Sequence, residues 1–424
     1  MHNTIILLLM ISLVTNTLRP PFNTDLSLEP MIKTGQVLKT FNQTATPPLE
    51  ADGNPDSAIE VSPEPPLAET PLPDEPPGTP DTSVPSEAPN AGNNAIPAKE
   101  AISQAGEVTD EAVVQKPIEP DIETVTLSFA GDCTIGDDDK YTWNTFDSVY
   151  KKVQNPGYFF QGVKDVFSRD DFTFINFEGT FTKATKKAEK EYRFKGDPSY
   201  VSVLKDGSIE GVTLANNHSM DYLDQGFKDT GTVLNEAEIP WANFEKSFIV
   251  DIKGLKIGFL GYKGWEHESR SDKLLKDQTR AMREQGVTFI IANYHWGDQS
   301  SYVPNALQKR MAHFAVDNGV DLVIGHHPHV LQGMEIYKDK PILYSLGNFC
   351  FGGAPNPKDK DTIILQIILS YDATNRKILG AEELIIPAKV SSEVWRNDYR
   401  PILASGEERK RILEKFAWIS SKIK

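Results

Sequence analysis

The sequence predicts an α/β protein with mixed sheets, preceded by a disordered acidic stalk. Three observations carry this. From residue 124 onward, β-branched apolar runs alternate with amphipathic stretches, the pattern of strands linked by helices. Several of these runs stop at Gly, Asn or an acidic residue, the punctuation of a strand entering a loop. Before Asp121 the composition is different in kind: residues 47–120 hold 16 of the 29 prolines, 15 Asp/Glu and only two Lys, Lys99 and Lys116.

That segment carries 2 − 15 = −13 of the formal net charge of −16, leaving −3 for the rest of the 424 residues. It has no Phe, Trp or Tyr, so it cannot bury enough apolar surface to offset the cost of ordering. A charge-extended linker is expected there. The acidity of the whole chain therefore says nothing about the substrate of the folded part. Ahead of the linker, residues 5–14 form a ten-residue apolar run with no Lys or Arg before it. It is short for a membrane span of roughly twenty residues and suits the apolar core of an export signal. The expected layout is a signal or anchor over 1–20, a linker over 21–120, a folded domain over 121–390 and a helical extension of it over 391–424. Such a protein would be attached to the membrane with its folded domain on the extracellular side. Cys133 and Cys350 are the only cysteines, so no disulfide framework is expected.

Within the folded part, 124–130 (TVTLSFA) reads as a buried strand ending at Gly131-Asp132, and 171–177 (DFTFINF) as another ending at Glu178-Gly179. A third, 209–215, ends at Asn216-Asn217-His218 and leads into a helix over 222–237, which Ser219 or Asp221 could cap. Segments 248–252 and 256–261 flank Gly254 as a hairpin. A helix over 271–285 precedes the strand 287–294, which ends at His295, and a helix over 305–318 precedes the strand 320–324. That last strand opens GHHPH, which spends three of the eight histidines in four positions. A strand over 341–345, an antiparallel pair over 362–370 and 377–387, and a closing helix over 407–423 complete the pattern.

The chemistry gathers at the carboxyl ends of these strands: Asp132, Glu178, Asn217-His218, His295 and His327/His329. Ligand sites of α/β proteins lie in the crevice outside those ends. Taken singly, each residue has a structural reading as a turn former, a cap or a core histidine. Taken together they make a donor list for one or two divalent ions, since imidazole suits zinc and iron while carboxylate suits manganese and magnesium. A basic loop over 183–195 holds Lys183, Lys186, Lys187, Lys190, Arg193 and Lys195 against Glu189 and Glu191. It could draw a polyanion to the site, with Arg193 and Lys195 as the contacts, or simply be a solvated loop. Aromatic interleaving is sparse, so nucleic acid is set aside.

Seven ordered motifs carry a resemblance to a known family: FAGDCTIG from Phe129, INFEGTFT from Ile175, RFKGDP from Arg193, LANNHSMDY from Leu214, NYHWGDQ from Asn293, DLVIGHHPHVLQ from Asp321 and YSLGNFCF from Tyr344. Over roughly 124–352 the chain resembles the CapA (PGA_cap) family of bacterial capsule and poly-γ-glutamate synthesis proteins, similar in fold to the calcineurin-like metallophosphoesterases. The resemblance implies a four-layer α/β/β/α sandwich. It implies one ion (Mn, Fe or Zn) on Asp132, Glu178 and His329 and a second on Asn217, His295 and His327, with Glu178 between them. His218 would be the general acid or electrostatic partner, with Glu178 and Asn176 beside it as catalytic groups, and His326 would be a neighbour and not a ligand. Two positions depart from the metallophosphoesterase pattern. Thr134 stands where those enzymes place a His, and Asn176-Phe177-Glu178 replaces their Gly-Asp, so the first ion would lose an imidazole. The function implied is a metal-dependent hydrolase of an amide or phosphoester, acting on anionic poly-γ-glutamate beside other capsule-synthesis subunits. The alternatives are a non-catalytic polymer-binding assembly or export subunit and a metal-dependent phosphoesterase.

Overall fold

The computed structural model describes residues 121–265 and 269–423. The expected signal or anchor over 1–20 and the linker over 21–120 lie outside the described residues. Among those described, no helix is long and apolar enough to cross a membrane.

The first half runs β1 (Ile122–Thr134), β2 (Asp137–Asp138), α1 (Phe146–Val153), α2 (Lys164–Phe167), β3 (Phe172–Phe177), β4 (Thr180–Phe181), β5 (Phe194–Gly196), α3 (Val201–Asp206), β6 (Gly211–Thr213), α4 (Leu223–Glu236) and β7 (Trp241–Ala242). The second runs β8 (Phe248–Ile252), β9 (Leu255–Gly264), α5 (Ser269–Glu284), β10 (Phe289–Trp296), α6 (Ala306–Asp317), β11 (Leu322–His326), β12 (Leu331–Tyr337) and β13 (Lys340–Leu346). It closes with β14 (Asn348–Phe351), β15 (Asp361–Asp372), β16 (Lys377–Lys389), β17 (Ile402–Leu403) and α7 (Gly406–Ser420).

Two large mixed sheets result. One has the order β17-β16-β15-β1-β3-β6-β7 with β14 also paired to β1, and the other the order β12-β13-β11-β10-β9-β8. Each strand buries alternate side chains on opposite faces, and both faces of each large sheet are covered. Val125, Leu127 and Phe129 of β1 pack with Ile257, Phe259, Ile291 and Ile324 in a core between the sheets. On the outer face of the first sheet, Cys133, Ile175 and Val212 meet Phe146, Val203, Leu204 and Leu234 from helices α1, α3 and α4. On the outer face of the second, Leu260, Ile290 and Val323 meet Leu275, Met282, Met311 and Ala315 from α5 and α6. The layers are thus helix, sheet, sheet, helix, as the resemblance implied. Each fully buried Leu, Ile or Phe contributes about 1.5–3 kcal/mol, which makes the sheet–sheet core the main support of the site above it. Helix α7 sends Ile412, Phe416 and Ile419 into that same core, so the C-terminal stretch is part of the domain's packing.

Strands β1, β3 and β6 run parallel, as do β9, β10, β11 and β13. The carboxyl ends of both sets therefore meet at one end of the sandwich. Two glycines allow the close approach this needs. A Cβ on Gly131 would lie 1.9 Å from the Gly347 carbonyl oxygen, where the Asp132 N–H now donates at 2.9 Å. A Cβ on Gly325 would lie 1.9 Å from the Tyr344 carbonyl. Cys133 and Cys350 are both buried free thiols.

Candidate metal centre

Asp132, near the end of β1, lies in register with Asn176 on one side and Asn348 on the other. Its Oδ1 accepts from the Asn176 Nδ2 at 2.8 Å, and its Oδ2 accepts from the His327 backbone N–H at 3.2 Å. His329 Nδ1 is 3.1 Å from Oδ2, and His326 Nδ1 is 3.4 Å from Oδ1. Burial pushes this carboxyl up, but the hydrogen bonds and charge of His326 and His329 outweigh it and hold Asp132 well below the usual carboxylate range.

Glu178, just past β3, is fully buried, and among the described residues neither carboxylate oxygen meets a hydrogen-bond donor. Around its Oε1 stand His295 Nε2 at 3.4 Å, His218 Nε2 at 3.8 Å and His329 Nε2 at 3.9 Å. Burial pushes Glu178 up to about 8, with the His329 charge opposing and the Asp132 charge adding to the rise. An ionised carboxylate held like this costs several kcal/mol unless a cation faces it.

The GHHPH loop is strained. His327 and His329 have φ of 97° and 58°, conformations that cost a non-glycine residue on the order of 1–3 kcal/mol each. The contacts that hold them are those of the site. Beyond the Asp132 bonds, His329 Nδ1 lies 2.9 Å from Asn348 Oδ1, and the Ser300 N–H donates to the Pro328 carbonyl at 2.8 Å. With two acceptors on Nδ1, the His329 Nε2 is left facing Glu178. Burial would lower His329, but the Glu178 charge and the Asp132 hydrogen bond prevail and raise it to about 9. His327 goes the other way, lowered to about 3 by burial and then by the His329 charge. His327 Nδ1 is 3.1 Å from His295 Nε2, which also lies 2.9 Å from Asn217 Oδ1.

Two groups of donors emerge, each with its atoms within 4.8 Å of one another: Asp132, Glu178 and His329, and Glu178, His295 and His327. Glu178 belongs to both. The donor set, two carboxylates and three imidazoles, suits manganese, iron or zinc, and the orphaned Glu178 oxygens give a cation something to satisfy. Thr134 contributes no imidazole, and its buried Oγ1 has no hydrogen-bond partner among the described residues. His326 sits at the end of β11 with its Nδ1 on Asp132 Oδ1 at 3.4 Å, and its Nε2 has no hydrogen-bond partner among the described residues.

His218 stands beside the two groups. Its Nδ1 is 2.7 Å from Asp221 Oδ2, its backbone N–H donates to Asn216 Oδ1 at 3.0 Å, and its ring stacks on Phe194 with centroids 3.9 Å apart. A carboxylate only accepts, so the proton sits on Nδ1 and the Nε2 lone pair points toward Glu178. Burial lowers His218 to about 4 against the pull of Asp221. Asn176 ties the cluster together: its Nδ2 lies 3.2 Å from His295 Nδ1 and its Oδ1 accepts from Asn216 Nδ2 at 3.0 Å.

The basic loop reaches this cluster through one residue. Lys190 Nζ donates to the Asn217 carbonyl at 2.8 Å and pairs with Asp221 Oδ1 at 2.8 Å. Arg193 instead pairs with Asp139 at 3.0 Å, and Lys195 donates to the Ala184 carbonyl at 3.2 Å over the Tyr222 ring. Asp221 does not cap α4, whose N-cap residue is Tyr222 with no side-chain cap bond. Sequence reasoning assigned no site role to Lys190, Asp221, Asn216 or Asn348. The spacing of Asp221 three residues after His218 was the available signal, and it also fits a helix cap.

The bacterial capsule synthesis protein family PGA_cap matches residues 126–353. The chain is 29% identical to the PGA biosynthesis protein CapA of Bacillus subtilis over 283 residues, 60% of this chain and 70% of that one. It is 28% identical to the capsule biosynthesis protein CapA of Bacillus anthracis over 278 residues, 59% of this chain and 66% of that one. A solved phosphatase structure from Mycoplasma pneumoniae aligns with 63% of this chain and 94% of its own at 14% identity, with a TM-score of 0.38. With a match that spans more than half of its length and takes in every strand-end residue above, the chain belongs to the bacterial capsule synthesis protein family PGA_cap.

Proposed function

We propose that this chain is a metal-dependent hydrolase of capsule biosynthesis, exported and attached to the membrane, which cuts an amide or phosphoester bond in an anionic polymer. Poly-γ-glutamate is the first candidate, since the Bacillus relatives are named for its synthesis. The observation that carries the reading is Glu178: a fully buried carboxylate without a donor among the described residues, shared by two groups of converging ligand atoms. Asp132, Glu178 and His329 would hold one divalent ion, and Glu178, His295 and His327 a second, with Asn217 beside His295. Such an ion supplies Lewis acidity toward the scissile carbonyl or phosphoryl group.

The protein's own part is positioning and proton transfer. Asn176 aligns Asp132 and His295 through one amide. Asp221 fixes His218 with Nε2 turned inward, where it takes up and returns a proton. Lys190 neutralises Asp221 from the loop side. The test incubates the full chain with purified poly-γ-glutamate, with chelator and then with added Mn2+, and follows polymer length on gels. The polymer should shorten with Mn2+, persist after chelation, and persist with His295→Ala. Unchanged length under every condition would sink the hydrolase reading and leave a polymer-binding subunit.

A further inference from the structure

Strand β9 ends at the site, and its last residues are unlike the rest of the mouth. Lys263 lies in register with His295 of the parallel strand β10. Alternation along β9 sends Tyr262 into the helix-side core, and a Cβ on Gly264 would meet Met311 of α6. Gly261 faces the opposite way, toward Thr213 and Ala215 of the other sheet. Lys263 and Trp265 share that inward face at the open end of the sandwich. Trp265 sets its ring edge-on to His327 and His295, with centroids 4.4 and 5.9 Å apart, while remaining 40% exposed.

The Lys263 side chain has no hydrogen bond, ion pair or ring contact among the described residues, whereas four cations of the neighbouring loop are occupied. Lys187 and Arg193 share Asp139, Lys195 lies over Tyr222, and Lys190 holds Asp221. Solvent reaches the Lys263 side chain at the open end of the sandwich. Lys190 is matched by Asp221 at 2.8 Å, whereas Lys263 has no carboxylate partner among the described residues. An anion entering there would meet this unmatched ammonium, and a flat indole beside it offers apolar surface to the methylene groups that carry the anion.

We propose that Lys263 and Trp265 form an oxyanion subsite on the rim of the Glu178 centre, where Lys263 Nζ takes a carboxylate or phosphate group of the bound chain and Trp265 packs on its carbon segment. Naming that chain as the substrate rests on the hydrolase reading; the subsite does not. It would set which polymers enter the site and in what register their charges fall.

The test measures Kd by calorimetry on the full chain, with a γ-linked glutamate hexamer, a γ-linked glutamine hexamer and inorganic phosphate as probes. Lys263→Gln should weaken the glutamate hexamer about tenfold, the worth of one charge-assisted contact, and flatten the salt dependence of its binding. Lys263→Arg should recover most of the loss, and the uncharged hexamer should bind wild type and Lys263→Gln alike. A loss confined to inorganic phosphate would also support the subsite and identify its anion as phosphate. Unchanged Kd for both anionic probes in Lys263→Gln overturns the proposal, even if the polymer is cleaved normally. Conversely, weakened hexamer binding in a protein that never cleaves polymer keeps the subsite and removes the hydrolase reading.

Discussion

Glu178→Gln is expected to abolish tight metal binding and to stabilise the metal-free fold at alkaline pH. The two effects have opposite signs and one cause. Glu178 is the only side chain common to both donor groups, so replacing its carboxylate by a neutral amide removes a charged ligand from each. Changes to residues that merely support ligands cost roughly 10–100-fold in metal affinity, and loss of the shared ligand should exceed about 100-fold. The stability effect follows from the raised pKa. Burial holds Glu178 at about 8 in the folded protein against an ordinary value of 4.5, so folding favours its protonated form. That contribution is intact below pH 4.5 and is lost as the pH rises toward 8. Glutamine carries no such loss. Denaturant unfolding of metal-free samples should show the variant level with wild type in acid and more stable than wild type at pH 9. Added Mn2+ should reverse the order, raising the wild-type midpoint and leaving the variant's in place. A variant that binds metal like wild type, or is destabilised at pH 9, would contradict this account of the residue.

His218→Asn should leave the metal in place and lower polymer cleavage by about 10²–10⁴-fold, the usual share of a proton-transfer group. Asp221→Asn should approach the same loss by another route. Asp221 accepts from His218 Nδ1 at 2.7 Å; an asparagine amide turned toward that nitrogen would donate to it and move the ring proton to Nε2. The Asp221 hydrogen bond and charge also raise His218 against burial, so the acid limb of the rate profile should shift to lower pH in Asp221→Asn. Asp221 also accepts from the Phe194 N–H at 2.6 Å, so a lower melting temperature alone would report only that structural bond. The shifted pH limb separates the positioning role from it.

Much of this site is legible in the sequence because each strand delivers its polar residue at the same end. Apolar runs at 124–130 and 171–177 place Asp132 and Glu178 just past their apolar residues, and parallel pairing needs only that both strands run the same way. What sequence could not show is which partner each side chain selects. The run YSLGNFCF is legible as a strand and a loop, but not as the strand β14 that runs parallel to β1 and sets Asn348 beside Asp132 and His329. That pairing spans more than 200 residues of chain and leaves no periodic trace. The basic loop showed its charge but not its geometry, so Arg193 and Lys195 were the expected contacts and Lys190 is the one that reaches the cluster. Asp221 satisfied a local capping pattern and is used instead in a tertiary bond to His218. Short helices such as α1 and α3 lack enough turns for their period to stand out.

The central claim is that Glu178 lies between two cation positions. Anomalous scattering from crystals of the full chain grown with Mn2+ tests it directly. Two peaks are predicted, one among Asp132, Glu178 and His329 and one among Glu178, His295 and His327, both bordering the Glu178 carboxylate. Manganese present in the crystals but bound elsewhere, with Glu178 contacting neither ion, would contradict it.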